Sequence, residues 1–290
     1  MNQIQILANQ LPIIREIGTL QDSNGIHIHP NRIMENIHVF VYVKSGHIQV
    51  IEEEKEYLLS SGCFLFLKKN IHHWGSLLYS PKTEWYYIHF YDGMNQPSEQ
   101  FPEFTHYQQS SLILEDTYCS KLTLPKQGKV KNKEYTERQL EKLVDLFNST
   151  LPMRPLHLSI STMDFFLELY SQKIQESQHT KKNRIIYKVI EYLNETSSAK
   201  KESREIADAL GMNYTYLSSL FKKETGKTIT QFQNELLVER AMHMLRKEPI
   251  HIAEVSNELG FSNPFYFSRV FKKVTGVSPS TYLNEIYRRP

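Results

Sequence analysis

The chain has 290 residues, 40% of them apolar and 12% aromatic, which suits two or three buried cores better than one small domain. No run of about 18 apolar residues occurs, which excludes a helical membrane span, and the opening MNQIQILANQ lacks the basic and apolar stretches of a secretory signal. The net charge of +2 hides an asymmetry: residues 182–290 carry 17 Lys and Arg against 12 Asp and Glu, and residues 1–181 carry 17 against 20, a mild bias that points a polyanion partner at the C-terminal part.

Residues 1–130 read as β-structure. The stretch HVFVYVKSGHIQVIEEEKEYLL (38–59) alternates and turns at Ser45-Gly46, with Val39, Val41 and Val43 on one face and Phe40 and Tyr42 on the other. Gly62 precedes a strand over Cys63–Leu67, and Trp85–Tyr91 is a further strand; short strands so spaced predict a sandwich or barrel. The two cysteines, Cys63 and Cys119, lie far apart with no partner spacing and read as reduced thiols of a cytoplasmic protein. Histidines concentrate in this half, at positions 27, 29, 38, 47, 72, 73 and 89.

Residues 131–181 read as a helical connector. Thr136-x-x-Gln139 has the form of a capping box ahead of Leu140, Leu143, Val144 and Phe147, and residues 157–177 carry Phe165, Phe166, Leu169, Tyr170 and Ile174 at helical spacing. These helices either pair across a two-fold axis or pack on their own β-domain. The polar stretch SQHTKKN (177–183) reads as a linker.

The last part, residues 182–290, contains a repeat. LGMNYTYLSSLFKKETG (210–226) returns as LGFSNPFYFSRVFKKVTG (259–276): Phe221-Lys222-Lys223 fall on Phe271-Lys272-Lys273 at an offset of 50, and Leu210-Gly211 on Leu259-Gly260 at 49. A one-residue change confined to that place is what a turn between two fixed helices tolerates. Each copy carries helix–turn–helix signals, over 203–226 and 252–276. In the first, Ser203 is a candidate N-cap, Ile206, Ala207 and Leu210 form an apolar stripe, Gly211 ends the helix, and Asn213 caps the next, whose inner face is Leu217, Leu220 and Phe221. In the second, Val255, Ser256 and Leu259 face inward, Gly260 ends the helix, and Asn263-Pro264 opens the next over Phe267, Val270 and Phe271. The outward positions are Thr215, Ser218, Ser219, Lys222 and Lys223, and Phe265, Ser268, Arg269, Lys272 and Lys273. Small hydroxyl side chains allow close approach to base edges, Arg269 can form a paired hydrogen bond to guanine, and the lysines reach phosphates. Two copies are too few for a helical solenoid. Residues 184–195 and 231–246 supply supporting helices, the second after a candidate N-cap at Thr230 and long enough to space two readers about one duplex turn apart.

These residues resemble the DNA-binding domain of AraC/XylS-family transcriptional regulators. The matching positions are Ile206-Ala207, Leu210-Gly211, Leu217-x-x-Leu220-Phe221-Lys222-Lys223-x-Thr225-Gly226, and Gly260-Phe261-Ser262-Asn263-x-x-x-Phe267-Ser268-Arg269-Val270-Phe271-Lys272-Lys273-x-x-Gly276, with Pro279 and Tyr282. Two positions depart from the family pattern, Ser219 and Leu237, where many members carry arginine; the first reader is expected to add less base-specific affinity. The resemblance implies that the second helix of each unit enters the major groove. It also implies a cupin-like sensor half, whose order of strands, Ser-Gly turn, Gly62, CFLFL and His72-His73 is similar here, and it favours homodimerisation. The expected fold is multidomain α+β: an N-terminal cupin-like β-barrel with a helical appendage and a C-terminal all-α domain with two helix-turn-helix motifs. His27-x-His29 lies too far upstream of Gly46, without the expected glutamate, for a cupin metal site, so no metal or other cofactor is expected. A small-molecule effector would sit in the barrel among Tyr42, Phe66, His72, Trp74, Tyr87 and His89; alternatively these aromatic groups fill a small barrel.

The function expected is a ligand-responsive, sequence-specific DNA-binding regulator, by family analogy an activator contacting RNA polymerase. No nucleophile–base motif, phosphate loop or paired-carboxylate signature points to an enzyme. The alternatives are a cupin enzyme with an accessory DNA-binding tail, or a DNA binder with no ligand.

Overall fold

The computed structural model describes residues 2–93, 100–104, 118–177, 181–195, 200–247 and 250–286. The described residues form two compact units, one from those up to 104 with 118–176, the other from those after 176.

The first unit is built from strands β1 (Gln5–Leu7), β2 (Ile13–Asp22), β3 (Arg32–Ile33), β4 (His38–Ser45), β5 (His47–Glu52), β6 (Lys55–Ser60), β7 (Cys63–Leu67), β8 (His72–Trp74), β9 (Thr83–Tyr91), β10 (Lys121–Thr123) and β11 (Gln127–Lys129). Their sheets run β11-β7-β4-β9-β2 and β3-β8-β5-β6, with β1 paired to β10. The alternation read from 38–43 decides what each face of β4 meets. Val39, Val41 and Val43 pack with Ile48, Val50, Tyr57 and Leu59 of the second sheet. Phe40 and Tyr42 join Phe64, Phe66, Ile88 and Phe90 against helical residues. The larger sheet is thus buried on both faces, and six consecutive β4 residues from His38 to Val43 are buried. Gly46 turns β4 into β5 at φ 79°, where a Cβ would strike Thr83.

The closed barrel expected from the sequence is corrected here: two open sheets face each other, and no described strand joins their edges. Short terminal strands such as β3, two residues long, supply too little ladder to close the structure.

Helices α1 (Lys133–Asn148) and α2 (Arg154–Ser177) cover the outer face of the larger sheet through Leu140, Leu143, Leu158, Phe165, Phe166 and Leu169. The N-cap of α1 is Asn132, whose side chain accepts from Tyr135 N at 3.0 Å. The capping box expected at Thr136 is therefore displaced: Thr136 lies inside the helix, buried, with its hydroxyl donating to Asn132 O at 2.9 Å. Asn132 precedes Thr136 by one turn and takes the cap.

The second unit is all helical: α3 (Lys181–Glu195), α4 (Ser203–Leu210), α5 (Tyr214–Thr225), α6 (Ile229–Lys247), α7 (Ile252–Glu258), α8 (Pro264–Thr275) and α9 (Pro279–Ile286). It holds two cores. Ile186, Val189, Ile206, Leu217, Phe221 and Phe232 anchor one; Val238, Leu245, Val255, Leu259, Phe267 and Phe271 anchor the other. Helix α6 serves both, giving Ile229, Phe232 and Leu236 to the first and Leu237, Val238, Ala241, Met242 and Leu245 to the second. Its 19 residues span about 28 Å.

Two cap assignments shift. Glu202, not Ser203, caps α4, and its N–H donates to Glu205 Oε2 at 2.6 Å. Helix α6 starts at Ile229, so Thr230 lies within it; Thr228 and Gln231 form the reciprocal pair, Thr228 N–H to Gln231 Oε1 at 2.8 Å and Gln231 N–H to Thr228 Oγ1 at 3.1 Å.

Candidate functional site

Both copies of the repeat fold as helix, turn, helix. Gly211 closes α4 at φ 62°, and Asn213 caps α5, its Oδ1 accepting from Thr215 N at 2.8 Å and Tyr216 N at 3.3 Å. In the second copy Gly260 takes φ 70°, Asn263 Oδ1 accepts from Tyr266 N at 2.8 Å, and Pro264 occupies the first turn of α8. The repeated Thr-Gly has a local cause. Thr225 Oγ1 donates to Phe221 O at 2.7 Å and accepts from Lys227 N at 3.2 Å; Thr275 does the same with Phe271 O and Val277 N at 2.9 and 3.3 Å. Gly226 and Gly276 follow in the left-handed conformation, so the second helix of each copy ends with its late carbonyls satisfied.

The outward residues are placed by these frames. Thr215, Ser219, Lys222 and Lys223 are exposed on α5, and Phe265, Arg269, Lys272 and Lys273 on α8, while Ser218 and Ser268 are half-buried. Ser268 donates its hydroxyl proton to Pro264 O at 2.8 Å, which leaves its lone pairs for a donor such as a base amino group. Phe265 is 86% exposed. Tyr266, which the sequence reading passed over, sits with its ring 5.8 Å from the Arg269 guanidinium and 5.2 Å from Lys200 Nζ. Its counterpart Tyr216 is 52% exposed. Their common place in the repeat was the signal that could have found them.

One contact outside α6 links the surroundings of the two copies, and two made by α6 hold the segments ahead of the first. Lys200 N–H, ahead of α4, donates to Leu259 O at the end of α7 at 3.2 Å. Arg240 of α6 donates to Asn194 O at 3.0 Å. Gln233 of α6 is buried beside Lys201, and its amide satisfies the backbone C=O and N–H there in the orientation that pairs both atoms. Between the copies lies a cleft of about 630 Å³ whose walls include Lys200, Arg204, Tyr214, Gln233 and Tyr266.

In the first unit the six expected effector-lining residues fall in different places. Tyr42 and Phe66 are fully buried against α1 and α2, with Tyr42 OH donating to Glu137 Oε1 at 3.1 Å and burial pushing the phenol up. His72 stacks on Trp74 at 4.7 Å and reaches Asn31 Oδ1 at 2.6 Å. Tyr87 and His89 share the face that Val41 and Val39 present to the other sheet. Tyr87 OH donates to Glu16 Oε1 at 2.9 Å, its phenol pushed up to about 12 by burial and by that carboxylate, and His89 Nδ1 lies 3.3 Å from Glu16 Oε2.

Beside them is a cluster the sequence did not announce. His29 Nε2 is 2.8 Å from His73 Nδ1, and His29 Nδ1 is 3.2 Å from Tyr79 OH. Arg32 is the cross-strand partner of His73. Burial, with the neighbouring ring and the Arg32 charge, holds His29 down to about 3; burial and Arg32 hold His73 down to about 4. Among the described residues no group of three or more His, Cys, Asp or Glu is placed to hold a metal ion. Cys63 is partly buried and Cys119 exposed, both as free thiols.

Known proteins bear on the second unit. Residues 206–285 match the family described as "Helix-turn-helix domain". The chain is 27% identical over 255 residues to the uncharacterized HTH-type transcriptional regulator YisR of Bacillus subtilis (strain 168), covering 86% of each. It is 27% identical over 126 residues to the arabinose operon regulatory protein of Escherichia coli (strain K12), covering 43% of each. The solved C-terminal domain of AraT, a response regulator from Geobacillus stearothermophilus, is 26% identical with a TM-score of 0.34, covering 37% of this chain and 88% of that one. The C-terminal part of this chain is an AraC-type helix-turn-helix domain, the DNA-binding module of transcriptional regulators. Among the described residues no helix is long and apolar enough to cross a membrane.

Proposed function

We propose that the chain is a cytoplasmic, sequence-specific transcriptional regulator that reads two successive major-groove segments with α5 and α8, and whose first unit is a cupin-like sensor for a small molecule. The observation that carries this reading is the pairing of two helix–turn–helix units on one continuous helix, with each second helix leaving a basic face exposed, hydroxyl-bearing on α5 and carrying Phe265 and Arg269 on α8. Thr215, Ser218, Ser219, Phe265, Ser268 and Arg269 form the base-reading set; Lys222, Lys223, Lys272 and Lys273, at the basic last turns of the two helices, form the phosphate-holding set. The short outward side chains on α5 support the weaker share of base readout assigned to the first copy.

The chain acts as an activator in this reading, working as a homodimer and touching RNA polymerase. Effector binding to the first unit changes DNA affinity only if the effector prefers one arrangement of the chain over another. Selection of duplexes from a random pool by the full chain tests the DNA reading. The expected result is an asymmetric site with two short conserved blocks about one helical turn apart; recovery of no preferred sequence would overturn it. Repeating the selection with candidate effectors tests the sensor reading, which requires a shift in affinity.

A further inference from the structure

The β3–β8 end of the open sandwich carries polar groups that the fold leaves unmatched. Arg32 and His73 stand opposite each other on that ladder, and His73 also faces Glu52 of β5. His73 is 1% exposed, yet its Nε2 has no hydrogen-bond partner; the Nε of Arg32 is likewise buried and unpartnered. An orphaned buried polar atom costs about 1–3 kcal/mol, so two on facing ladder positions call for a partner.

Their proton states follow from the chain of contacts behind them. Both imidazoles are held neutral, so each ring carries one proton. His29 Nδ1 lies 3.2 Å from Tyr79 OH and His29 Nε2 lies 2.8 Å from His73 Nδ1, a chain whose direction depends on the tautomer. An anion held beside Arg32 selects the tautomer in which Tyr79 OH donates to His29 Nδ1, His29 Nε2–H donates to His73 Nδ1, and His73 presents Nε2–H. Arg32 Nε–H is a donor by nature. The nearby acids are engaged: Glu16 by Tyr87 OH and His89, and Glu52 by Lys68 N–H at 3.0 Å and by an ion pair with Lys126 Nζ at 2.5 Å, although Glu52 Oε2 makes no hydrogen bond. Among the described residues Arg32 makes no ion pair, and Glu16 attracts it only from a distance. The complement is a monoanion with two acceptor oxygens. A dianion would exceed the single free positive charge and would meet Glu16, whose charge also acts on Arg32.

We propose that the Arg32–His73 corner is a binding site for a small organic carboxylate, Arg32 Nε–H and His73 Nε2–H each donating to its oxygens. This rests on the reading of the first unit as a sensor and gives that sensor its ligand class. Tyr79 and His29 act as positioning residues, fixing the tautomer that His73 presents.

The test uses the full chain with sodium formate and sodium acetate as probes, at constant ionic strength, up to about 100 mM because single charge-assisted contacts give weak binding. The expected result is a saturable change in the His73 imidazole nitrogen resonances and a saturable rise in Tm, with affinity at least tenfold weaker in Arg32→Gln. Should that variant fail to fold, the resonances of the wild-type chain still decide the matter. No saturable response, an equal response to formamide, or a response to inorganic phosphate but not to formate or acetate overturns the proposal. A carboxylate that binds here yet leaves DNA affinity unchanged would overturn the sensor reading and not this site. DNA binding that answers to a neutral effector, with no saturable response of His73 to any carboxylate, would overturn this site and not the sensor.

Discussion

Arg269 lies on the exposed side of α8 with Tyr266 beneath its guanidinium at 5.8 Å. A guanidinium resting on an aromatic face loses less freedom when it binds, and its planar fork suits guanine O6 and N7. Arg269→Ala is expected to weaken cognate binding by about 1–3 kcal/mol and to relax one base position. Equal loss on all sequences would make it a phosphate contact. Lys222→Ala and Lys272→Ala should instead weaken binding uniformly and lower the salt slope by about one; an unchanged slope counts against them. In the proposed reading Phe265 is a different kind of reader. A phenyl ring 86% exposed at the start of a helix that would face the groove has the shape to cover a thymine methyl. Replacing thymine by uracil in the selected site removes only that methyl. The loss in affinity should be confined to one position and should vanish in Phe265→Ala; a variant that still discriminates thymine from uracil refutes this role.

At the scale of elements, caps decide where the reader helices begin. Asn213 and Asn263 orient the first turns of α5 and α8, and Thr228 with Gln231 starts α6. Thr228→Ala removes one side of a reciprocal cap and should cost about 0.5–2 kcal/mol. Thr230→Ala changes an exposed residue inside the helix and should stay within about 0.5 kcal/mol. Denaturant midpoints followed by far-ultraviolet circular dichroism separate the two, and equal losses would place the cap elsewhere. The helix so started is shared by both cores, which makes it a spacer as well as a scaffold. Five extra base pairs between the two blocks of the selected site turn the second by about half a helical turn. Binding should fall more than tenfold, and unchanged affinity would mean that the two readers move independently.

At the scale of the whole molecule the units differ in what holds them. Both tryptophans, Trp74 and Trp85, lie in the first unit, so their fluorescence reports its unfolding alone. His29 and His73 titrate near 6.5 when unfolded and near 3 and 4 when folded. Between those limits the unfolded chain binds more protons, so the first unit loses stability as pH falls from about 6.5 toward 4 and regains it as pH rises. The midpoint of fluorescence-detected unfolding should therefore drop between pH 7 and pH 4.5, with a smaller drop in His73→Gln. A flat profile would contradict neutral buried imidazoles.

The sequence by itself determined the two C-terminal helix–turn–helix units. Their signals are local: Asn213, Asn263 and the Thr-Gly ends act within one or two turns, and a repeat at an offset of 50 displays them twice. It also determined the two faces of β4, because a period of two depends on neighbours along one strand. It did not determine which cap wins where candidates compete. Thr136 and Thr230 had the right side chains, but Asn132 and Thr228 stood at the true first turns. Nor did it give the open edges of the sandwich or the scatter of Tyr42, Phe66 and His72, since facing and closure depend on how separate strands pack. The Arg32–His73 corner shows the reason most clearly. Those residues are 41 positions apart in the chain and opposite each other on a ladder; that register exists only once β3 and β8 have paired, and the burial that keeps the imidazoles neutral only once the unit has packed.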